Sequence, residues 1–182
     1  ARLNSVEIDL ENETADIGGG AKWQDVLDRA APLGLAPLLG STPDVSAVGY
    51  TLGGGLGWLA RKYGTSADSA IEFEIVRATG ETITVSANEN PELFWALRGG
   101  GAGNLGVVTR MRAQLYRIPE VYGGDLFYPS SMAVDVIRRW RDWIETVPES
   151  LTSGATMLNL PPTDDVPQAR REDLERVAAT LD

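Results

Sequence analysis

The chain has 182 residues, enough to bury roughly 70% of its unfolded surface and to form one domain or one and a half. Its 26 acidic and 16 basic side chains give a net charge of −10, which argues against nucleic acid as a partner. It has no cysteine and no histidine, which excludes disulfides, thiol nucleophiles, Ser-His-Asp triads and ordinary zinc sites within this chain.

The N-terminal region predicts a β-hairpin followed by a helix. Apolar residues alternate with polar ones over residues 6–10, a turn-forming Glu-Asn-Glu follows, and residues 14–17 resume the alternation. Three glycines at 18–20 then break the strand. Apolar residues recur at helical spacing over residues 22–33, and Gly34 supplies a C-terminal stop.

Residues 40–64 hold seven glycines within one short stretch. Glycine loses more conformational entropy on folding than other residues, so such a run is costly unless the backbone must approach something closely. A phosphate-bearing cofactor is the commonest reason for that approach. The segment therefore predicts a loop that wraps a dinucleotide, with four backbone amides aimed at pyrophosphate and flavin oxygens: those of Ser41, Thr42, Ser46 and Gly49.

Two other interpretations of this segment stay open. Gly55 to Ala60 fits G-x-G-x-x-A, the fingerprint of a Rossmann-type nicotinamide or flavin site. Gly64 interrupts any following helix within two turns and the flanking strands form hairpins, so the context disfavours this interpretation. The segment could also be a tight buried loop whose glycines serve packing and touch no ligand.

A second antiparallel pair and a helix follow. Apolar residues alternate around Phe73, Thr79 and Gly80 form a turn, and residues 82–85 run back as the second strand. Asn90 is expected to cap a helix that has Pro91 at its first position. Glycines at 99–101 end this helix.

Nearby, Arg98 to Gly101 resembles an RNA-binding RGG element, but a helix end running into a backbone-contact loop fits an acidic chain better.

The C-terminal third predicts two strands and an amphipathic helix. The strands cover about residues 106–117 and 121–128. The helix carries Val136, Trp140 and Trp143 at helical spacing, which is typical of core tryptophans. Beyond it, the proline-rich residues 161–168 predict irregular structure, and Leu174, Val177 and Leu181 predict a short terminal helix.

Four of these motifs together resemble one protein family. They are GGG-x-x-W at 18–23, the segment 40–64, ENPELFWALRGGG at 89–101 and NLGVVT at 104–109. Residues 5–117 thereby resemble the FAD-binding domain of the vanillyl-alcohol oxidase and p-cresol methylhydroxylase (PCMH) superfamily. The similar branch includes berberine bridge enzyme and the 6-hydroxynicotine oxidases.

The resemblance implies an α+β fold with a mainly antiparallel sheet flanked by helices, the second FAD-binding subdomain of PCMH type. Residues 1–117 would form the C-terminal part of that FAD-binding domain. Residues 118–182 would begin an α+β substrate domain and end in a helical tail. Because the chain begins at Ala1 in the approach to a strand, we expect it to be a fragment of a longer protein.

The resemblance also implies a cofactor site built largely from backbone. The loop from Gly40 to Gly49 would lie along the flavin and pyrophosphate, and three later glycines would let the backbone approach. Residues that begin the strand near 107 would add main-chain contacts. The implied FAD-binding residues are Gly40, Ser41, Thr42, Val45, Ser46, Gly49, Gly54, Gly55, Gly57, Gly106 and Val107.

Three side chains would tune the bound flavin. Thr42 matches the position of a flavin-linking cysteine in bicovalent members, so this chain would not make that second bond. Val45 matches a position near the flavin C4a edge, where a valine favours oxygen access. Tyr50 matches a position near the flavin pyrimidine ring, where a phenol could stabilise reduced flavin. The FAD-linking histidine of the family would lie upstream of Ala1.

The implied function is that of an FAD-dependent oxidoreductase, in particular an oxidase. A small-molecule substrate would lose a hydride equivalent from a carbon that bears OH or NH, with molecular oxygen as the acceptor. A truncated, non-catalytic remnant without FAD is the alternative from a different class, and a Rossmann-type NAD(P) dehydrogenase is a third. No apolar run approaches the ~20 residues that span a bilayer, so we expect no membrane partner and a cytoplasmic location. We also expect no metal site.

Overall fold

The structure is a computed structural model that describes residues 3–100 and 103–158. The chain divides into two compact units. The first comprises Ala1–Val121 with Glu149–Thr152, and the second comprises Tyr122–Pro148 with Ser153–Asp182. The predicted irregular segment at 161–168 and the predicted terminal helix lie outside the described residues.

A five-stranded antiparallel sheet organises the first unit. The strands of this unit are β1 Val6–Asp9, β2 Thr14–Gly18, β3 Leu35–Ala36, β4 Ala70–Val76, β5 Thr82–Ser86, β6 Val107–Gln114 and β7 Tyr116–Arg117. The five strands of the sheet lie in the order β1-β2-β6-β4-β5, and each neighbouring pair is antiparallel. The short strands β3 and β7 form a separate antiparallel pair.

Short helices fill the connections between these strands. They are α1 Trp23–Ala30, α2 Ala47–Leu52, α3 Ala60–Tyr63, α4 Ser66–Ser69 and α5 Pro91–Leu97. The helix predicted over residues 22–33 ends as a 3-10 turn, Ala31–Leu33, and Gly34 stops it with a φ of 71°. The predicted fold class, an antiparallel sheet flanked by helices, is confirmed.

One face of the sheet carries the hydrophobic core. Alternation along β2 buries Ala15 and Ile17, and the register pairs Ile17 with Met111 on β6. Met111 pairs in turn with Phe73 on β4, so the apolar face continues across the central strands. Helices cover this face with Trp23, Val26, Ala47, Val48, Phe94 and Leu97.

The opposite face of the sheet carries paired charges. Asp16 on β2 accepts hydrogen bonds from Arg110 and Arg112 on β6, and its Oδ2 lies 2.8 Å from the Arg112 Nη2. Arg110 also pairs with Glu72 on β4 at 2.7 Å. These ion pairs link three adjacent strands, and both arginines are therefore already matched by carboxylates.

Asn90 is the N-cap residue of α5 and Pro91 is its first residue, as predicted, but the Asn90 side chain makes no capping hydrogen bond. Its φ of 53° places it in the left-handed region, and its Nδ2 donates to the Thr84 carbonyl at 2.8 Å. The amide of Asn90 thus ties the helix start to β5. The segment expected as one loop, residues 40–64, contains α2, α3 and the turn between them.

The second unit contains one long helix, α6 Ala133–Ile144, preceded by a 3-10 turn at Ser130–Met132. The strand predicted at 121–128 is wrong: these residues form no strand, and their two adjacent glycines, Gly123 and Gly124, disfavour one.

The helix itself was predicted correctly, but its tryptophans are not core residues. The Trp143 side chain is 44% exposed, and Trp140 Nε1 donates to Ser153 Oγ at 3.0 Å. The helical period located the helix, but none of its residues is fully buried.

Candidate functional site

The predicted cofactor loop begins as an exposed segment that is pinned to the start of α1. The Trp23 amide donates to the Val45 carbonyl at 3.1 Å, and the Gln24 amide donates to the Pro43 carbonyl at 2.9 Å. The first backbone donors of α1 are therefore satisfied by this loop. Lys22 Nζ adds an ion pair with Asp44 at 2.5 Å.

The loop contacts α1 through its carbonyls, and most of its amides remain available. Within the described part of the chain, the amides of Ser41, Thr42, Val45 and Ser46 have no hydrogen-bond acceptor. Ser41 and Val45 are exposed, and Thr42 Oγ1 makes only a long contact of 3.5 Å with the Asp44 amide. Backbone donors without an acceptor inside the protein are available to an anionic ligand.

Gly49 departs from the expectation for its amide. Ser46 is the N-cap of α2, and its Oγ accepts the hydrogen bond from the Gly49 amide at 3.2 Å. This donor is thus used inside the first turn of the helix. Of the four amides predicted to face a ligand, those of Ser41, Thr42 and Ser46 remain unpartnered in the described structure.

Tyr50 lies behind this loop, on α2, with its ring packed edge-on against Trp23 at a centroid distance of 6.1 Å. Its hydroxyl donates to the Leu56 carbonyl at 2.7 Å. Burial raises the pKa of the Tyr50 phenol above its usual value of 10.0, so the hydroxyl keeps its proton at neutral pH. Any hydrogen bond from Tyr50 to a ligand would require the hydroxyl to exchange partners.

Two of the predicted ligand-approach glycines have a packing reason of their own. A Cβ at Gly55 would lie 2.6 Å from the Tyr50 ring and 2.5 Å from the Ser66 Cβ. A Cβ at Gly57 would lie 2.0 Å from the Leu39 carbonyl oxygen. The packing interpretation of the segment therefore accounts for Gly55 and Gly57, and the exposed donors at 41–46 are a separate feature.

Gly54 behaves differently from these two. A Cβ there would meet nothing nearer than the Gly99 Cα at 3.9 Å, while its φ of 98° is one that other residues rarely adopt. Gly54 and Gly99, on the loop after α5, thus approach each other closely. Gly40 also lies near Tyr50, with its would-be Cβ 3.0 Å from the hydroxyl.

Gly106 and Val107 stand at the start of β6. Gly106 has a φ of 139°, and a Cβ there would lie 2.6 Å from the Val76 carbonyl oxygen on β4. Val107 is 67% exposed although it begins a central strand. The contacts of Gly106 are with β4, so Gly106 and Val107 belong to the sheet, whereas residues 40–57 surround Tyr50 and α2.

Several features of the site were not singled out as functional from the sequence. Leu56 and Trp58 are exposed apolar side chains on the connection between α2 and α3. Asp68 and Arg98 form an ion pair at 3.1 Å beside the glycines. The spacing Thr65-x-x-Asp68, a capping-box pattern, was a signal that could have drawn attention to Asp68.

Metal and membrane features were searched over residues 3–100 and 103–158. No group of three or more acidic side chains there is arranged to hold a metal ion. Of the helices in those residues, none is both long enough and apolar enough to cross a membrane.

The antiparallel sheet with its flanking helices places the chain beside one class of protein, the flavoproteins of the vanillyl-alcohol oxidase and PCMH type, to which its fold is similar. Residues 1–86 match the FAD binding domain family. The chain is similar to members of the 6-hydroxynicotine oxidase and berberine-bridge-like branch.

Particular relatives agree with this assignment. The (R)-6-hydroxynicotine oxidase of Paenarthrobacter nicotinovorans is 45% identical over 117 residues, which are 64% of this chain and 25% of the relative. The crystal structure of 6-hydroxy-D-nicotine oxidase from Arthrobacter nicotinovorans superposes with a TM-score of 0.61 at 45% identity, covering 63% of this chain and 25% of that one.

A third relative extends the similarity further along the chain. Glucooligosaccharide oxidase from Acremonium strictum, studied for its 6-S-cysteinyl, 8α-N1-histidyl FAD, has a TM-score of 0.68 at 30% identity. The match covers 82% of this chain and 32% of that protein. The chain therefore spans between a quarter and a third of the length of these relatives.

Proposed function

We propose that the chain is the flavin-binding module of an FAD-dependent oxidoreductase, in particular an oxidase. The observation that carries the proposal is the loop at 40–46, whose carbonyls bind α1 while the amides of Ser41, Thr42 and Ser46 have no acceptor in the described structure. Backbone donors arranged in this way fit the pyrophosphate and flavin oxygens of a dinucleotide.

The chemistry of the donors fits FAD in two further respects. The loop offers amides and short hydroxyls, and its one carboxylate, Asp44, is paired with Lys22 at 2.5 Å. This pairing would reduce the repulsion that an anionic pyrophosphate meets. Leu56 and Trp58, exposed apolar side chains on the connection between α2 and α3, would offer a surface for a flat aromatic ring system.

Bound FAD would supply the hydride acceptor that no side chain of this protein can provide. The chain itself would bind and orient the cofactor. Gly40, Ser41, Thr42 and Ser46 would hold it through main-chain groups, Gly54 would let the backbone approach, and Gly106 with Val107 would add a second set of contacts. Gly49, Gly55 and Gly57 would act indirectly, by shaping α2 and the turn around Tyr50.

Three side chains would set the properties of the site. Thr42 has no thiol, so the cysteinyl bond described for glucooligosaccharide oxidase would not form here. Val45 would leave oxygen a path to the cofactor. Tyr50 would stabilise negative charge on the reduced ring if its hydroxyl exchanges the Leu56 carbonyl for the ligand.

The substrate would be a small molecule with a CH–OH or CH–NH group, because the related oxidases act on hydroxynicotine and on oligosaccharides. Molecular oxygen would be the acceptor.

Residues 1–117 would belong to the FAD-binding domain and residues 118–182 to the start of a substrate domain with a helical tail. This sequence contains no histidine, so a histidyl link to FAD would not form within it.

Visible absorption of the purified chain, before and after addition of FAD, tests the proposal. We expect bound flavin to give bands near those of oxidised flavin after gel filtration. A chain that stays colourless and fails to bind added FAD would support the alternative, a truncated remnant that keeps the fold and is not catalytic.

The roles of the two tuning side chains have their own tests. If Tyr50→Phe leaves the rate of flavin reduction unchanged, Tyr50 does not stabilise the reduced ring. Val45→Ile should slow the reaction with oxygen, and undiminished reoxidation would remove the role assigned to Val45.

A further inference from the structure

The glycine turn after α2 is held by the short helix α4. The Ser66 amide donates to the Gly55 carbonyl at 2.8 Å, and the Ala67 amide donates to the Gly54 carbonyl at 2.9 Å. Two consecutive amides thus fix two consecutive carbonyls of the turn. A buried contact of 2.7 Å between Thr51 Oγ1 and Ser66 Oγ fastens α4 to α2 on the same side.

Arg98 holds α4 from the other side. Its Nε donates to the Ala67 carbonyl at 2.6 Å, and its Nη2 lies 3.1 Å from Asp68 Oδ1. The guanidinium also lies over the Phe94 ring at 5.3 Å from its centroid. Ala67 therefore links the two contacts. Its amide holds the Gly54 carbonyl, and its own carbonyl is held by Arg98.

Asp68 completes the arrangement through its second carboxylate oxygen. Asp68 Oδ2 accepts from the Thr65 amide at 2.8 Å and from the Thr65 hydroxyl at 2.7 Å. The Thr65 hydroxyl, the Thr65 amide and then Arg98 lower the pKa of Asp68 below its usual 3.8. The carboxylate is charged at neutral pH and fixes both α4 and Arg98.

We propose that Arg98 and Asp68 are positioning residues that hold the turn at Gly54 and Gly55 in the conformation required for FAD binding. This inference rests on the proposed function. Neither side chain is required to touch the cofactor; they act through the Ser66 and Ala67 amides. The loop after α5 follows Arg98 directly, and its Gly99 lies against Gly54, so the same pair sets the spacing between the two glycine loops.

Hydrogen exchange at the Ser66 and Ala67 amides, followed in the full chain, tests the positioning directly. We expect Arg98→Ala to speed exchange at both amides about tenfold, because a hydrogen bond from a charged donor is lost beside them. Amides within the β4–β5 hairpin should be unchanged. Arg77→Ala is the matched control, since Arg77 makes an exposed ion pair with Glu81 at 3.6 Å on that hairpin.

Affinity for FAD, measured by flavin fluorescence, tests the consequence of the positioning. Arg98→Ala should weaken binding about tenfold at a similar melting temperature, whereas Arg77→Ala should bind as wild type does. Arg98→Lys keeps the charge facing Asp68 but loses the fixed planar fork, so an intermediate affinity is expected. Asp68→Asn gives a second variant if Arg98→Ala does not fold.

Either of two results would overturn the inference. Exchange at Ser66 and Ala67 that stays at the wild-type rate in both Arg98→Ala and Asp68→Asn would show that the pair does not hold α4. Faster exchange with unchanged FAD affinity would show that the turn does not matter for binding. If the wild-type chain binds no FAD, the proposed function fails, and the exchange rates still decide whether the pair positions the turn.

Discussion

At the scale of single residues, the structure separates glycines that serve packing from a loop whose amides lack acceptors among the described residues. Gly57 lies under the Leu39 carbonyl, and Gly55 lies between the Tyr50 ring and Ser66. The sequence could not distinguish these roles, because glycine leaves the same pattern whether the backbone approaches a ligand or another part of the protein. The structure is needed to see that carbonyls of the loop bind α1, while the amides of Ser41, Thr42 and Ser46 have no acceptor among the described residues.

Gly57→Ala should be strongly destabilising. A Cβ 2.0 Å from the Leu39 carbonyl oxygen forces two backbone segments apart, and such overpacking costs roughly 1–3 kcal/mol or more. Urea unfolding of the full chain measures the change. Gly123→Ala is the control, since a Cβ there would meet nothing within 4 Å. Equal stability of the two variants would contradict the packing role of Gly57.

Tyr50→Phe should lower stability by about 0.5–1.5 kcal/mol, because it removes the hydrogen bond from the phenol to the Leu56 carbonyl. Burial raises the pKa of Tyr50 above 10.0, so this contribution is complete below pH 10 and is lost as the pH rises through the folded-state value. Thermal unfolding of both proteins at pH 7 and above pH 10 measures it. A difference that stays constant over this range would contradict the assignment.

At the scale of elements, most strands and the helices α1, α5 and α6 followed from the sequence. The β1–β2 and β4–β5 hairpins have their turns where Glu-Asn-Glu and Thr79-Gly80 predicted them. Hydrophobic periodicity is a local signal, so it located these elements and the amphipathic helix α6. It did not locate α2, α3 and α4, and it failed at the strand expected over 121–128, because strand pairing depends on residues elsewhere in the chain.

Ion pairs on the charged face of the sheet link β2, β6 and β4. Asp16→Asn should destabilise the chain by about 1–2 kcal/mol, because Arg110 and Arg112 both lose their shared carboxylate partner. Thermal unfolding at moderate salt measures the effect. Glu81→Gln is the control: it breaks one exposed pair with Arg77 and should change stability by less than about 0.5 kcal/mol. Equal destabilisation by Asp16→Asn and Glu81→Gln would contradict the stabilising role of the Asp16 ion pairs.

At the scale of the whole molecule, the chain spans a quarter to a third of the length of these relatives. The comparison with glucooligosaccharide oxidase is informative here, since a cysteine and a histidine hold the FAD of that protein. This chain contains neither residue type. Neither a cysteinyl nor a histidyl link to FAD can therefore form within this chain.

Acid precipitation of the FAD-loaded chain tests this point. We expect a colourless pellet and all of the flavin in the supernatant, because no thiol or imidazole is present to form a bond with the ring. Absorbance of the two fractions measures the distribution. Free FAD mixed with an unrelated protein serves as the control, and a yellow pellet from this chain alone would contradict the expectation.

The sequence by itself indicated the antiparallel α+β class, both hairpins, the helices α1, α5 and α6 and the resemblance to FAD-binding domains, because periodicity, turn residues and the four glycine-containing motifs are local patterns. Only the tertiary structure decided which glycines pack and which loop amides lack an acceptor among the described residues, and it brought Arg98 to Asp68 across 30 residues. Those facts depend on where distant segments meet, and a pattern along the chain does not record which of its backbone groups already have partners.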